Sequence, residues 1–112
     1  KGSCEKLAEL FPRKRFDIVH AQNCLDHSVD PFEGIRQMLA VVKKDGVVLL
    51  RHHRNEGHRG GYRGLHQWNF DLGPDGPILW NKTKRALIMD EVKCSGLNAK
   101  ETGYGIEIVI RK

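Results

Sequence analysis

His27 is the residue of this 112-residue sequence best placed for acid–base chemistry, because it closely follows an apolar run that ends in Gln22-Asn23. An imidazole titrates near neutral pH and can deprotonate a hydroxyl or amine group of a substrate. The alternative is a histidine that packs and hydrogen-bonds locally where a helix begins, and the position favours this structural role. His27 is therefore the candidate catalytic residue, with the structural role kept as its alternative.

A second polar group follows the next apolar run, Val47-Val48-Leu49-Leu50. Polar residues beyond the carboxyl ends of parallel strands line the ligand sites of open α/β sheets. On this basis we predict a substrate side made of Asn55, Glu56, His66 and Trp68. The alternatives are that Asn55-Glu56 is simply a polar loop and that Trp68 belongs to the core of the β-rich part, which is the commoner role of tryptophan.

Four histidines raise the question of a metal site; they are His52, His53, His58 and His66. No pair of them has the i, i+4 spacing that brings two imidazoles together on a helix, and no cysteine accompanies them in a zinc-binding pattern. We therefore predict no metal site and expect solvated imidazoles in a loop.

The elements that must position these residues can be predicted from the spacing of apolar side chains. Phe16 to Gln22 has the composition of a buried strand that ends in a polar tip. Asp30 is typical of a helix N-cap, with Pro31 at the first helical position and Glu33 placed as in a capping box. The helix then repeats apolar residues at three- and four-residue spacing, at Phe32, Ile35, Met38, Leu39 and Val42. We predict its end at Asp45-Gly46, where glycine can adopt the left-handed conformation.

The rest of the chain is predicted to be rich in β-structure. Val47 to Leu50 is apolar on both faces, as in an interior parallel strand, which makes residues 1–52 a strand-helix-strand unit. Arg51 to Gly64 is rich in Gly, His and Arg and predicts a loop. Residues 65–112 form the β-rich C-terminal part, with a turn at Gly73 to Gly76 and an alternating strand at Ile106, Ile108 and Ile110.

Composition limits the classes of function. The net charge of +5 and the pI near 9.3 come from scattered basic residues, and the aromatic share is only 7%, so nucleic-acid binding is not indicated. No apolar run approaches the roughly 18 residues of a membrane span, and the start lacks a signal-peptide region, so we predict a cytoplasmic protein with no membrane partner. Cys4, Cys24 and Cys94 are odd in number and widely spaced, which predicts reduced thiols.

Four segments carry a resemblance to a known family. The sequence resembles the second half of a class I S-adenosylmethionine-dependent methyltransferase domain. Gly2-Ser3-Cys4-Glu5-Lys6-Leu7 is similar to the family's Gly-Asp-Ala-Glu-x-Leu, Leu25-Asp26-His27 to its Leu-Glu-His, and Val42-Lys43-Lys44-Asp45-Gly46 to its Leu-Lys-Pro-Gly-Gly. The fourth segment, His66-Gln67-Trp68-Asn69-Phe70, is similar to a motif in uncharacterised relatives.

The resemblance implies an α/β fold, namely a partial Rossmann-like sheet equivalent to the family's strands 4-5-7-6, with a β-rich C-terminal part. It implies a single partial domain over residues 1–112 that transfers a methyl group to a small-molecule or unknown acceptor. It also implies S-adenosylmethionine as cofactor, lined by Ser3, Cys4, Gln22 and Asn23. Ser3 stands where the family has an aspartate, so it offers adenine a hydrogen bond without charge. The family's Gly-x-Gly-x-Gly loop and ribose-binding acid are not in this sequence. We therefore expect the cofactor to need an N-terminal half, and the isolated chain to be inactive.

The alternative from another class is a noncatalytic binding or assembly module that retains half of the methyltransferase sheet. Such a module would use the exposed edge of the Phe16 to Gln22 strand to pair with another chain. Sequence upstream of Lys1 discriminates the two, since a strand followed by a Gly-x-Gly loop favours the enzyme and a natural start near Lys1 favours the module. In both cases we expect this strand to pair, either with the missing N-terminal half or with a second copy of the chain.

Overall fold

The structure is a computed structural model that describes residues 2–112. Its elements are, in chain order, a 3₁₀ turn at Cys4–Lys6, α1 Leu7–Leu10, β1 Phe16–Gln22, a 3₁₀ turn at Leu25–His27, α2 Pro31–Val41, β2 Val42–His52, α3 Glu56–Arg59, β3 Asn69–Gly73, β4 Gly76–Trp80, β5 Arg85–Leu87, α4 Ile88–Glu91, β6 Gly96–Glu101 and β7 Ile106–Arg111. Among residues 2–112, no helix has the length and apolar character that crossing a membrane requires.

The strands form two sheets in a mixed α/β fold. The larger sheet has the order β1-β2-β7-β6, in which β1 and β2 are parallel and β7 is antiparallel to both of its neighbours. The smaller sheet is antiparallel and has the order β3-β4-β5. The C-terminal residues thus contribute to both sheets, because β6 and β7 complete the larger one.

The core lies on one face of the larger sheet. Alternate residues of β2 and β7 point to this face, and α2 packs its apolar side chains against them. The side chains concerned are Val48, Leu50, Ile106, Ile108 and Ile110 of the strands and Phe32, Ile35, Met38 and Leu39 of the helix. Each is at most 6% exposed, so the burial predicted for the last strand and for four residues of the helix is confirmed, whereas Val42, predicted for the same helix, is buried as the first residue of β2.

The expectation of a buried strand at Phe16–Gln22 is wrong for β1. Only Ala21 of this strand is buried, and Ile18 is 61% exposed. The reason is position, since β1 is the first strand of the larger sheet and has β2 as its only neighbour within residues 2–112. Polar and apolar side chains of β1 therefore remain accessible on the face away from the core.

Helix α2 begins as predicted. The Asp30 Oδ1 atom accepts hydrogen bonds from the amides of Phe32 at 3.1 Å and Glu33 at 3.2 Å. The capping box is wrong, however, because the Asp30 amide donates to Glu5 Oε1 at 3.1 Å, while the Glu33 carboxylate accepts from Arg36. The N-terminal segment therefore supplies the reciprocal half of the cap.

The predicted helix end at Asp45-Gly46 is wrong as well. Helix α2 ends at Val41, and β2 begins at Val42. Gly46 is needed for a different reason: a Cβ on it would lie 2.5 Å from the Asp17 carbonyl oxygen. The pairing of β1 with β2 shifts here, since Phe16 faces Val42 whereas Ile18 faces Val47.

The segment from Arg51 to Gly64 is more ordered than the predicted loop. Strand β2 continues through His52, and α3 forms one turn at Glu56–Arg59. The Gly57 amide donates to the Trp68 carbonyl and the His58 amide to Asn69 Oδ1, which fastens this turn to the start of β3. The turn predicted at Gly73 to Gly76 is confirmed, because it joins β3 and β4 as a hairpin.

Candidate functional site

Asp26 is the buried centre of a cluster at the carboxyl end of β1. It lies in the 3₁₀ turn Leu25–His27, and the residue is 1% exposed. Its backbone carbonyl accepts from the amides of Gln67 at 3.0 Å and Trp68 at 3.2 Å. These two bonds hold the segment around residue 67 against the end of the strand.

The side chain of Asp26 brings two histidines together. His66 Nδ1 donates a hydrogen bond to Asp26 Oδ2 at 2.5 Å, and His27 Nε2 lies 3.8 Å from Asp26 Oδ1. The two imidazole rings meet edge to face with 4.7 Å between their centroids. Their side chains are 31% and 34% exposed, so the cluster is closed at the carboxylate and open to solvent at the imidazoles.

The carboxylate of Asp26 influences both the pKa and the tautomer of His66. The hydrogen bond to Asp26 raises the pKa of His66, because a carboxylate stabilises the imidazolium form. When His66 is neutral, the same bond keeps the proton on Nδ1 and leaves Nε2 as the acceptor. A carboxylate-oriented imidazole of this kind can accept a proton from a bound hydroxyl group.

His52 holds the backbone that leads into Asp26. It is 1% exposed at the end of β2, and its Nε2 atom accepts from the amides of Cys24 at 3.3 Å and Leu25 at 3.2 Å. Burial lowers the pKa of His52 to about 4, so the ring is neutral and fixes the turn that carries Asp26.

The expectation of solvated loop imidazoles is therefore wrong for His52. It also fails for half-buried His53, whose ring stacks on Tyr104 with centroids 4.1 Å apart. The reason is that β2 extends through His52, so that His52 and the residue that follows it lie in packed surroundings.

Ser3 and Cys4, the first two predicted cofactor residues, converge on Glu5. The Ser3 hydroxyl donates to the Glu5 carboxylate, and the Cys4 thiol lies 3.5 Å from its Oε2 atom. Burial opposes ionisation of Glu5, but the bonds from Ser3 and the Asp30 amide lower its pKa to about 2. Burial and the charge of Glu5 raise the pKa of Cys4 to about 11, which keeps that thiol protonated.

The other predicted cofactor residues, Gln22 and Asn23, lie where β1 ends. Gln22 is exposed, and Asn23 has a left-handed backbone with a φ of 49°. The Asn23 amide donates to the Arg51 carbonyl at 2.8 Å, and its Oδ1 accepts from the His53 amide at 3.3 Å. Asn23 thereby ties the ends of β1 and β2 together.

Two of the predicted substrate residues make mainly structural contacts. Asn55 accepts from the Trp80 indole at 3.0 Å and donates to Asp71 at 3.3 Å. Trp68 is 7% exposed and packs edge-on against Phe32 at 5.8 Å. These contacts match the core alternative for Trp68, and its role toward a substrate stays a prediction.

The structure thus joins His27 and His66, and the half-buried Glu56 adds a negative charge that contributes to the raised pKa of His66. Sequence reasoning missed Asp26 as a site residue, although it lies within the Leu25-Asp26-His27 segment. The sequence signal that could have drawn attention to it is a carboxylate directly next to the candidate base His27, whereas its burial is shown only by the structure.

Comparison with known proteins finds a distant similarity to a methyltransferase. No protein-family model matches the chain. It is similar to the ubiquinone biosynthesis O-methyltransferase of Bradyrhizobium diazoefficiens, with 28% identity over a matched region that covers 79% of this chain and 40% of that protein. The chain therefore spans less than half the length of this relative. The similarity supports a distant relationship to methyltransferases, and the mixed α/β fold is consistent with it.

Proposed function

We propose that the chain is the C-terminal portion of a class I S-adenosylmethionine-dependent methyltransferase domain. The observation that carries the proposal is the arrangement of the larger sheet, whose order is β1-β2-β7-β6 with β7 antiparallel to both neighbours. The family's strands 4, 5, 7 and 6 have this order and these directions. The similarity to an O-methyltransferase supports the same assignment.

The cofactor side is assigned to Ser3, Cys4, Gln22 and Asn23. Ser3 and Gln22 are exposed, and the Ser3 oxygen retains acceptor capacity after donating its proton to Glu5, which fits the exocyclic amine of adenine. These residues fit one wall of the pocket, and groups that hold the ribose would come from a preceding half of the domain. When bound, S-adenosylmethionine supplies the electrophilic methyl group.

The acceptor side is assigned to residues beyond β1 and β2, namely His27, Asn55, Glu56, His66 and Trp68. Methyl transfer needs an aligned acceptor and, for a hydroxyl or amine, a group that takes its proton. His27 remains the candidate base, and the imidazole of His66 that Asp26 orients is a second group suited to that role.

The proposal is tested by restoring the missing half. We would fuse the part of the Bradyrhizobium O-methyltransferase that precedes its matched region to this chain and titrate the fusion with S-adenosylhomocysteine in a calorimeter. We expect the fusion to bind the ligand and the isolated chain to show no useful affinity, because most orienting contacts lie in the first half.

Two results would count against this assignment. A fusion that folds by circular dichroism but does not bind would remove the methyltransferase assignment. Micromolar binding by the isolated chain would show instead that the cofactor pocket is misplaced. A fusion carrying Asn98→Ala, a change at an exposed position of β6, at the opposite edge of the larger sheet from β1, serves as the matched control for handling and folding.

A noncatalytic assembly module is the second candidate, and one observation favours it. Strand β1 leaves one backbone edge unpaired within residues 2–112, and Ile18 on it is 61% exposed. Such an edge is suited to adding a strand from another chain. This candidate predicts pairing through β1 and no cofactor binding by the fusion.

A further inference from the structure

The Asp26 carboxylate contains an oxygen atom that lacks a hydrogen-bond partner. Its side chain is only 2% exposed, and Oδ1 has no partner among the described residues. Buried charged oxygens are nearly always satisfied, because leaving one unpaired forfeits its interaction with water. His27 Nε2 lies 3.8 Å from this oxygen, which is beyond hydrogen-bond distance. A ligand bound between Oδ1 and His27 Nε2 would satisfy both atoms.

The gap has the dimensions of a metal site. Ligand atoms of Asp26, His27 and His66 all lie within 4.8 Å of one another. A first-row transition ion binds imidazole nitrogen and carboxylate oxygen at about 2.0–2.2 Å, which sets ligand atoms about 3–4 Å apart around it. An ion there would replace the hydrogen bond between His66 Nδ1 and Asp26 Oδ2, whose 2.5 Å separation is shorter than this spacing, and the two accessible imidazoles would rotate to reach it.

We propose that Asp26, His27 and His66 form a binding site for a divalent first-row transition metal ion, with Zn²⁺ as its representative. Two imidazoles and one carboxylate suit zinc, cobalt, nickel or iron, whereas Mg²⁺ and Ca²⁺ prefer oxygen ligands. The proposal goes beyond methyl transfer, since metal binding by these residues does not depend on a cofactor.

The surroundings of the cluster support a preorganised site. The Asp26 backbone is fixed by two hydrogen bonds to its carbonyl, and His52 holds the amides of the residues that precede it. The carboxylate is therefore held in position in the absence of an ion. Hydrogen bonds of this kind orient the ligands in metal sites. Both histidines are about one third exposed, so an ion can reach the cluster from solvent.

The number of protein ligands indicates a site with a free coordination position. Three protein ligands leave at least one coordination position for water or another oxygen ligand, which is the pattern of reactive rather than structural zinc sites. The cluster lies beyond the carboxyl end of β1, at the side of the sheet where ligands bind in open α/β folds.

The test is a titration of the whole chain after treatment with a chelator. We expect one Co²⁺ per chain, with the visible absorption of a low-coordinate cobalt site, and displacement of Co²⁺ by Zn²⁺. His27→Gln and His66→Gln should each weaken Zn²⁺ binding by more than about tenfold in calorimetry, since even outer-contact changes in metal sites cost about that much. His58→Gln, on an exposed histidine outside the cluster, should leave the affinity unchanged.

Three results would overturn the proposal. One is the absence of Zn²⁺ binding by the chelator-treated chain, and another is an affinity that His27→Gln and His66→Gln leave unchanged. The third is a thiolate-to-cobalt charge-transfer band, which would assign the ion to cysteines instead. Both histidine substitutions lie at accessible positions, and circular dichroism of each variant shows that the fold is retained before the affinities are compared.

Discussion

His52 acts through its neutral ring, and this makes the stability of the protein depend on pH. Burial lowers its pKa from 6.5 to about 4 in the folded chain, while the unfolded chain keeps the ordinary value. Below pH 6.5 the unfolded state therefore binds a proton that the folded state rejects. The stability contributed by this residue is complete above pH 6.5 and is lost as the pH falls toward 4.

Two substitutions separate the charge of His52 from its hydrogen bonds. His52→Gln can still accept from the Cys24 and Leu25 amides but does not titrate, so its urea midpoint should decline less than that of the natural protein between pH 6.5 and 4. His52→Leu also removes the acceptor and should cost about 1–3 kcal/mol at neutral pH, because the buried Leu25 amide and the partly buried Cys24 amide lose their partner. An unchanged pH dependence in His52→Gln would contradict the assigned cause.

Whether a site residue could be predicted from the sequence depended on how far along the chain its contacts lie. His27 and His66 were proposed from their types and from their positions after predicted strands. Asp26 was missed because its bond to His66 spans 40 positions of the chain, and neither periodicity nor local spacing reports such a contact. The acceptor role of His52 was missed for the same reason, since its partners lie 27 and 28 positions away.

Among the elements, helix α2 depends on the cap at its first turn. Asp30→Ala removes the oxygen that accepts from Phe32 and Glu33 and should cost about 1 kcal/mol of unfolding free energy. Asp30→Asn keeps an acceptor at the same place and is the matched control, expected to lose only a fraction of that amount. Urea unfolding of the three proteins measures the difference, and equal midpoints would remove the cap from the account of the helix.

The close approach of β1 and β2 at Gly46 makes a second prediction at this scale. Gly46→Ala would place a Cβ 2.5 Å from the Asp17 carbonyl oxygen, so the strands must separate locally at a cost of about 1–3 kcal/mol. Gly96→Ala is the control, because nothing lies within 4 Å of the added atom there. Thermal unfolding should distinguish the two variants, and a similar loss in both would show that the close approach is not what requires glycine.

Local chemistry predicted the starts of elements better than their ends. The N-cap at Asp30 and the turn at Gly73 to Gly76 could be predicted because these local conformations strongly favour the residue types found there. Asp45-Gly46 has the composition of a helix stop, yet the chain enters β2 directly after Val41 because the sheet pairing favours an extended backbone there. The burial of a strand depends on what lies beside it, and for β1 the sequence of the strand could not provide that information.

At the scale of the whole molecule, the two faces of the larger sheet differ in how far other residues cover them. One face is covered by α2 and the core, while the other carries half-buried Val47, Leu49 and Val109 beside exposed Ile18. An unpaired edge next to apolar side chains favours strand addition from a second chain. In a complete methyltransferase, as proposed above, the missing first half would cover this edge.

The isolated chain should therefore self-associate through β1 or be poorly soluble. We expect light scattering to show an oligomer whose mass rises with concentration, and amide exchange to be slow along Phe16–Gln22 because the edge is paired. Ile18→Lys places a charge on this strand and should shift the chain toward monomer, since edge lysines oppose pairing. Val29→Lys is the matched control, because Val29 is 90% exposed outside the strand, and it should leave the mass unchanged. A soluble monomer at high concentration with fast exchange along Phe16–Gln22 would contradict pairing through this edge.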